Sequence, residues 1–236
     1  MKDVYEALEI DFEVRNRVNL SDYIIEVLKD IIFSGKLQPG SRLVEDQLAR
    51  KLKVSKTPLR EALTTMQKEG LVENVPYQGK FIVNISPSQL VDTYIVREAV
   101  ESLAVRLATM QMTRDFENYL KNAEKQMQNI VKGKSVAEFL IMDHAFHNEI
   151  IRHANNQTLN SVYDLLINKI RLGKVSTAYN NRRTDESTKE HMEIIEKMLE
   201  RNPDEAEKSM KKHINNIIKS MYPALGITPP EILFTK

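Results

Sequence analysis

The sequence predicts a mostly α-helical protein, with an N-terminal winged helix-turn-helix followed by a C-terminal antiparallel α-helical bundle. Two observations support this fold class. The 236-residue chain has only seven glycines and eight prolines, so few residues interrupt helices. Apolar residues recur at helical spacing, and no strand pattern appears after Val83. We expect four segments: an arm at 1–16, the winged domain at 17–84, the bundle at 85–222 and a tail at 223–236.

The first part of the chain, up to residue 84, is predicted to form three helices and a hairpin. Gly35 ends the first helix, and Pro58 lies in the first turn of the third, where its missing N–H costs nothing. Ser55 is the expected N-cap of the third helix, and Gly70 stops it. In order, the predicted elements are helices at 20–33, at about 43–52 and between 55 and 70, then strands at 71–75 and 80–83.

Beyond the hairpin, the sequence predicts helices alone. Ser86-Pro87-Ser88-Gln89 is a capping box with proline at the first helical position, and Asn202-Pro203 is another helix start signal. Most loops are short, with a longer one at 180–186, which favours antiparallel packing of neighbouring helices. The predicted helices run from about 86 to 110, 113 to 131, 136 to 153, 159 to 179, 187 to 201 and 204 to 221.

The composition limits the class of protein. Hydrophobic residues make up 42% of the chain and charged residues 28%, which is typical of a soluble globular protein. The absence of cysteine excludes disulfides, thiolate catalysis and cysteine-based zinc fingers. No apolar run approaches the roughly 20 residues of a membrane span, and no signal-peptide pattern follows Met1. We therefore expect a cytoplasmic protein with no membrane partner.

Positive charge is concentrated in the winged segment. Residues 15–84 contain twelve basic and eight acidic residues, a net charge of +4, whereas residues 1–14 have a net charge of −4. Five cations and no carboxylate lie between Arg50 and Arg60. The first turn of the third helix offers hydroxyls and cations, which suit contacts in a DNA major groove. We expect double-stranded DNA as a partner, bound in a salt-dependent way.

Four motifs stand between residues 35 and 72, namely G-K-L-Q-P-G-S-R-L, E-D-Q-L-A, V-S-K-T-P-L-R-E-A-L and E-G-L-V. With a glycine in the hairpin turn, they resemble the DNA-binding domain of the GntR family of bacterial repressors. The resemblance implies that the start of the third helix contacts DNA and that the wing tip enters the minor groove. Residue by residue, the implied DNA contacts are Ser55, Lys56, Thr57, Arg60, Gln78 and Gly79.

Some of these positions allow a second interpretation. Ser55 could act as an N-cap, as a phosphate contact, or as both. Lys56 stands where arginine is common in the family, which weakens bidentate recognition of guanine. Asp46 stands where some relatives place a DNA-contacting arginine, so we assign it no DNA contact. Arg60 could instead form a surface ion pair with a neighbouring carboxylate, either Glu61 or Glu69.

Four polar residues lie on the apolar, core-facing stripes of three later helices. Asp143 and His147 are four residues apart and project together, whereas His191 and His213 come from two other helices. An unpartnered buried polar group costs roughly 1–3 kcal/mol, so four of them need an explanation. One aspartate and three histidines suit a divalent ion such as Zn²⁺, Ni²⁺ or Mn²⁺. Each histidine alone could still be a hydrogen-bonded core residue.

The motifs D-H-A-F-H, E-H-M-E-I-I and K-K-H-I contain these four residues, and R-E-A-V-E stands at 97–101. Together they resemble the FCD-type effector domain of the FadR-like GntR subfamily. The resemblance implies that the aspartate and three histidines hold a divalent metal, and that a small organic acid binds beside it. Arg97 falls on an arginine that faces the same cavity and is the candidate effector-binding residue. An ordinary ion pair with Glu101 is the alternative for Arg97.

Two classes of function compete. The first is a ligand-responsive bacterial transcriptional regulator, a repressor that binds a pseudo-palindromic operator as a homodimer. The alternative is a metalloenzyme with an Asp/His₃ site on a helical scaffold, because this ligand set leaves a metal position open for water. The chain has no H-E-x-x-H motif, and an enzyme does not need a DNA-binding domain. A purely architectural DNA-binding protein would leave the four core residues unexplained. We therefore expect a regulator and not an enzyme.

Overall fold

The computed structural model of the protein describes residues 20–133, 136–178 and 183–229. The described chain is mostly helical, with one small antiparallel sheet near its start, and this confirms the predicted fold class. Among these residues, no helix has both the length and the apolar character needed to cross a membrane. The chain forms two compact units, the first around the early helices and the sheet, the second from later helices.

The first unit contains a winged helix-turn-helix built from α1 (Leu20–Phe33), β1 (Arg42–Leu43), α2 (Glu45–Lys51), α3 (Lys56–Lys68), β2 (Val72–Val75) and β3 (Gly79–Ile82). The strand order is β1-β3-β2, and both pairs of neighbours are antiparallel. The prediction that Leu43 begins the second helix was wrong. Leu43 pairs with Lys80 in the sheet, and α2 begins two residues later.

The apolar faces of α1 and α3 hold this unit together. Each helix places buried side chains at spacings of three and four residues on the face toward the other helix. Gly70 ends α3 with a φ of +73°, in the left-handed region where glycine has no steric penalty. The facing rows are Ile24, Leu28 and Ile32 on α1, and Leu59, Leu63 and Met66 on α3.

Beyond the sheet, the described chain contains α4 (Pro87–Met110), α5 (Arg114–Gly133), α6 (Val136–His153), α7 (Gln157–Thr177), α8 (Thr184–Leu199) and α9 (Pro203–Leu225). The predicted capping box is present: the Gln89 N–H donates to Ser86 Oγ at 3.2 Å, and the Gln89 side chain accepts from the Ser86 N–H at 2.9 Å. Asn202 caps α9 by accepting from the Glu205 N–H at 3.3 Å. Local capping signals therefore determine where these helices begin.

Helix α7 contributes to both compact units. Its part from Ile167 onward belongs to the first unit, and its earlier part belongs to the second. In the first unit, Asn168 donates to the backbone carbonyl of Glu69 at 3.4 Å, and the Arg171 guanidinium lies 3.6 Å from the centre of the Phe33 ring. Helical spacing in the sequence does not reveal this division, because it shows which face of a helix is apolar and not what the face packs against.

Candidate metal centre and nucleic-acid interface

Four polar side chains of the second unit converge in space: Asp143 and His147 from α6, His191 from α8 and His213 from α9. One ligand atom from each lies within 4.8 Å of the others. Asp143 Oδ1 is 3.5 Å from His191 Nε2 and 3.8 Å from His147 Nε2, and the Nε2 atoms of His191 and His213 are 3.2 Å apart. Ligands of a tetrahedral ion with bonds of about 2.1 Å are roughly 3.4 Å apart. The cluster is therefore close to the spacing that a small divalent cation requires.

Burial prepares the imidazoles to act as ligands. The three histidine side chains are at most 1% exposed, whereas the Asp143 side chain is 24% exposed. Burial, assisted by the charges of His213 and His147, lowers the pKa of His191 well below its usual value. Burial also lowers the pKa of His213, although a hydrogen bond to Glu190 opposes this shift. A neutral imidazole offers the lone pair that a metal ion binds.

A second carboxylate orients His213. The Nδ1–H of His213 donates to Glu190 Oε2 at 2.7 Å, which leaves Nε2 facing the cluster. Glu190 Oε1 also accepts from Arg183 at 2.7 Å and from Asn216 at 2.8 Å. Burial raises the pKa of Glu190, but its hydrogen bonds to His213, Arg183 and Asn216 outweigh this and lower it to about 2. The sequence analysis missed Glu190, although it directly precedes a candidate ligand.

A third carboxylate lies behind His147. Glu101 Oε2 is 2.5 Å from His147 Nδ1, close enough for an ion pair, although the two groups are not aligned as a hydrogen bond. Arg97 pairs with the other oxygen of Glu101, and both side chains are buried. Although burial raises the pKa of Glu101, the charges of Arg97 and His147 lower it to about 2. The ion pair considered for Arg97 is therefore present, and it connects Arg97 to the cluster through Glu101 and His147.

Several buried polar atoms near the cluster lack a hydrogen-bond partner among the described residues. The Tyr163 hydroxyl, on α7, is one of them. Burial raises the pKa of Tyr163, and the negative charge of Glu101 raises it further, so this hydroxyl stays protonated and close to Glu101. The Oγ atoms of Ser102 and Ser187 and the Nδ1 atom of His191 share this property. Buried polar atoms normally find partners, so this region has unused hydrogen-bonding capacity.

In the first unit, the residues predicted to contact DNA at the start of α3 are exposed. Ser55, Lys56, Thr57 and Arg60 all reach solvent. Ser55 occupies the N-cap position, but its side chain makes no capping hydrogen bond, so a purely capping role is not supported. Lys56 Nζ is 2.6 Å from Asp46 Oδ1, and both side chains are more than half exposed. An exposed ion pair of this kind is weak, so Lys56 can exchange its partner for a phosphate.

Arg60 is paired with a residue that the sequence analysis did not consider. Its Nε atom donates to Glu45 Oε2 at 2.7 Å, and Lys80 on β3 contacts the other oxygen of Glu45 at 2.8 Å. Neither of the two predicted partners is used, and Glu69 instead pairs with Lys29. Hydrogen bonds from Lys80 and Arg60 lower the pKa of Glu45. Glu45 therefore connects the recognition helix to the wing strand.

The hairpin turn brings a third predicted region to the surface of this unit. Gln78 is exposed, and Gly79 begins β3 with a φ of +102°, which favours glycine. The side chain of Tyr77 is fully exposed at the tip of the turn, with a φ of +63°. The sequence analysis did not select Tyr77 as a site residue. An exposed aromatic ring in a predicted turn was the signal that could have identified it.

The two units match two family models. Residues 20–82 match the model described as "Bacterial regulatory proteins, gntR family", and residues 92–216 match that of the FCD domain. The chain belongs to the GntR family and carries an FCD domain. It is a DNA-binding transcriptional regulator, like its relatives, and not an enzyme. This finding excludes the metalloenzyme that the sequence had left as the alternative.

Individual relatives agree with this assignment. The HTH-type transcriptional regulator YdhC of Bacillus subtilis (strain 168) is 26% identical over 193 residues, covering 80% of this chain and 85% of the relative. The Nta operon transcriptional regulator of Aminobacter aminovorans is 30% identical over 178 residues, covering 75% and 82%. Among solved structures, E. coli McbR/YncC matches with a TM-score of 0.68 at 21% identity, over 88% of this chain and 99% of that chain. This last likeness shows the fold alone.

Proposed function

We propose that this GntR regulator is a metal-dependent repressor, which binds a pseudo-palindromic operator as a homodimer and responds to a small organic acid. The observation that carries the proposal is the convergence of one carboxylate and three imidazoles within 4.8 Å. Two of these imidazoles have carboxylates at their Nδ1 atoms, at 2.7 Å and 2.5 Å. Carboxylates in this position are typical partners of metal-binding histidines. Without a cation, the cluster would be a costly set of buried polar groups.

The proposed metal ligands are Asp143, His147, His191 and His213. Nitrogen and carboxylate donors suit Zn²⁺, Ni²⁺ and Mn²⁺, and four protein ligands leave coordination positions for an exogenous group on an ion that accepts five or six. A carboxylate of a small organic acid would complete the coordination. Arg97 would be its second anchor, because a guanidinium recognises carboxylates well and Arg97 lies within two contacts of the cluster.

The proposed DNA contacts are those that the sequence predicts. Ser55, Lys56, Thr57 and Arg60 would enter the major groove, and the turn at Gln78 and Gly79 would reach the minor groove. Their common exposure supports this role. One helix-turn-helix reads only a half-site, so usable specificity requires two copies about 34 Å apart along DNA. The acid would act by binding one orientation of the pair more tightly than another.

A thermal unfolding experiment tests the metal centre. A cation that binds only the folded state stabilises it by about 2.7 kcal/mol when its free concentration is 100 times its dissociation constant. Chelation should therefore lower the unfolding midpoint, and added zinc, nickel or manganese should restore it. His147→Ala should abolish this response. His144→Ala is the matched control, because His144 is an exposed histidine on the same helix. Equal melting of the unmodified protein with and without chelator would contradict the metal centre.

A DNA-binding titration tests the regulatory proposal. Fluorescence anisotropy with an operator duplex should show that small organic acids change the affinity of the metal-loaded protein, and that chelation or Arg97→Ala removes the change. Transcription in vitro from a promoter that carries the operator should fall when the protein is added. An increase in transcription would contradict repression while leaving the metal centre intact.

A further inference from the structure

The outer face of α4 carries an apolar stripe that nothing in the second unit covers. Val96, Leu103 and Met110 are spaced seven residues apart, and their exposed fractions are 48%, 45% and 65%. Ala99 is also exposed, between the first two. This spacing places all four on one side of a helix. We call Val96, Ala99, Leu103 and Met110 the outer seam of α4.

The opposite face of α4 is apolar as well. It buries Tyr94, Ala104, Val105 and Ala108 within the second unit. A helix that is apolar on both faces is expected to be buried on both. Helix α5 of the same unit shows the usual pattern instead: it buries apolar residues, and its exposed positions are polar. The exposed residues of α5 include Asn118, Lys121, Asn122, Lys125 and Gln126.

The charged side chains of α4 do not interrupt the seam. Between Val96 and Met110 the chain has four charged residues, and each has a partner within the chain. Arg97 pairs with Glu101 on the inner face, and Glu98 lies 3.8 Å from Lys211 of α9. Arg106 pairs with Asp204 and Glu207, also of α9. The seam is therefore an uncharged strip flanked by charges that are already paired.

We propose that the outer seam is where two copies of this chain pair, α4 against α4. The proposal rests on the proposed function only in requiring two copies. An uncharged apolar strip is complementary to itself, as a two-fold symmetric interface must be. Leu103 stands seven residues from each end of the seam. A two-fold axis through its middle therefore sets Leu103 against its own copy and brings Val96 close to the partner's Met110.

The size of the seam defines how far the interface must extend. Fifteen residues of helix are about 21 Å long, and a helix is roughly 10 Å wide. One strip alone therefore offers about 200 Å² of flat area, against roughly 800 Å² per partner in a standard interface. Val162 and Leu165 on α7, in the same unit, are 38% and 44% exposed. These two side chains provide further apolar surface, and we expect them to be covered in the same dimer.

Cysteine cross-linking tests the pairing directly, because the chain has no cysteine of its own. In the full-length protein, Leu103→Cys should form a disulfide-linked dimer under mild oxidation, because its own copy lies opposite and a disulfide needs Cβ atoms about 3.5–4.5 Å apart. Lys208→Cys, on a side chain of α9 that is 70% exposed, is the control and should remain uncrosslinked. Equal cross-linking of the two variants would overturn the proposal.

Sedimentation of a second variant provides an independent test. Leu103→Asp places two like charges on the axis and should raise the dimer dissociation constant by at least about 100-fold. Metal stoichiometry of the variant reports that its bundle is folded, and Leu103→Asn is the milder substitute if it is not. A Leu103→Asp dimer of unchanged affinity would refute the seam and leave a dimer formed elsewhere. A monomeric unmodified protein at micromolar concentration, with and without DNA, would refute the dimer of the proposed function as well.

Discussion

Replacing Glu190 by glutamine should weaken metal binding without altering any proposed ligand. Glu190 accepts a hydrogen bond from His213 Nδ1 at 2.7 Å, and Arg183 and Asn216 hold the other carboxylate oxygen at 2.7 Å and 2.8 Å. The arrangement fixes the His213 ring and keeps its proton on Nδ1. The negative charge also increases the electron density that Nε2 can donate. Glutamine has the same shape and can still accept one hydrogen bond, but it is uncharged.

The expected magnitude follows from this contact. Loss of a carboxylate behind a ligating histidine typically weakens metal affinity 10- to 100-fold, which is about 1.4–2.7 kcal/mol. The upper part of this range is expected here, because Glu190 is held by three donors and cannot readily be replaced by water. His213 itself is fully buried, so its ring has no solvent partner to take over the role.

Calorimetric titration of the metal-free protein with Zn²⁺ at pH 7 measures the effect. Glu193→Gln is the matched control, because Glu193 lies one turn along α8 and pairs with Lys212 at the surface. Its affinity should equal that of the unmodified protein. If Glu190→Gln and the control bound zinc equally well, the carboxylate would not support the metal centre. The role that we infer for Glu190 from its distances would then be wrong.

Three further predictions concern the first unit. Arg60→Ala should weaken operator binding roughly 5- to 150-fold if the guanidinium reads a base edge, and Lys56→Ala should reduce the salt dependence by about one phosphate contact; unchanged anisotropy titrations would remove both from the interface. The pKa of Glu45 is lowered from 4.5, so its contribution to stability is present above about pH 4.5 and lost as the pH falls below it; Glu45→Gln should lessen this loss in urea unfolding with chelator present, and an identical pH profile would contradict it. A Cβ on Gly173 would lie 2.5 Å from the buried Leu90 Cδ1, so Gly173→Ala should lower the free energy of unfolding by roughly 1 kcal/mol, the overpacking cost less the gain in helix propensity; an unchanged urea midpoint would refute this close packing.

Local sequence patterns predicted much of the candidate metal site. Spacing of four residues puts Asp143 and His147 on one helix face, and the same reasoning selected His191 and His213 from their own helices. That the ligand atoms of all four lie within 4.8 Å is a property of how α6, α8 and α9 pack. No helical period reports the distance between two helices. The four residues remain a proposed metal site, but their proximity is a feature of the structure.

The carboxylates behind the histidines could not be recognised in the same way. Glu101 was visible in the sequence only as the neighbour of Arg97, and its contact with His147 joins α4 to α6. Likewise, the partner of Arg60 is Glu45, fifteen residues earlier, and not a residue of its own helix. Sequence spacing favours partners one turn away, whereas the folded chain offers others that are closer in space.

The sequence by itself determined the fold class, the order of the helices and the family of this regulator, because capping boxes, glycine stops and apolar periods are local signals that act before distant segments meet. The tertiary structure alone decided that Leu43 forms a strand with Lys80, that the end of α7 joins the first unit, and that α4 keeps an apolar outer seam. Each of these depends on contacts between residues far apart in the chain. Such contacts are set by packing, in which the burial of apolar surface and the satisfaction of polar groups are optimised over the whole unit rather than over one helix.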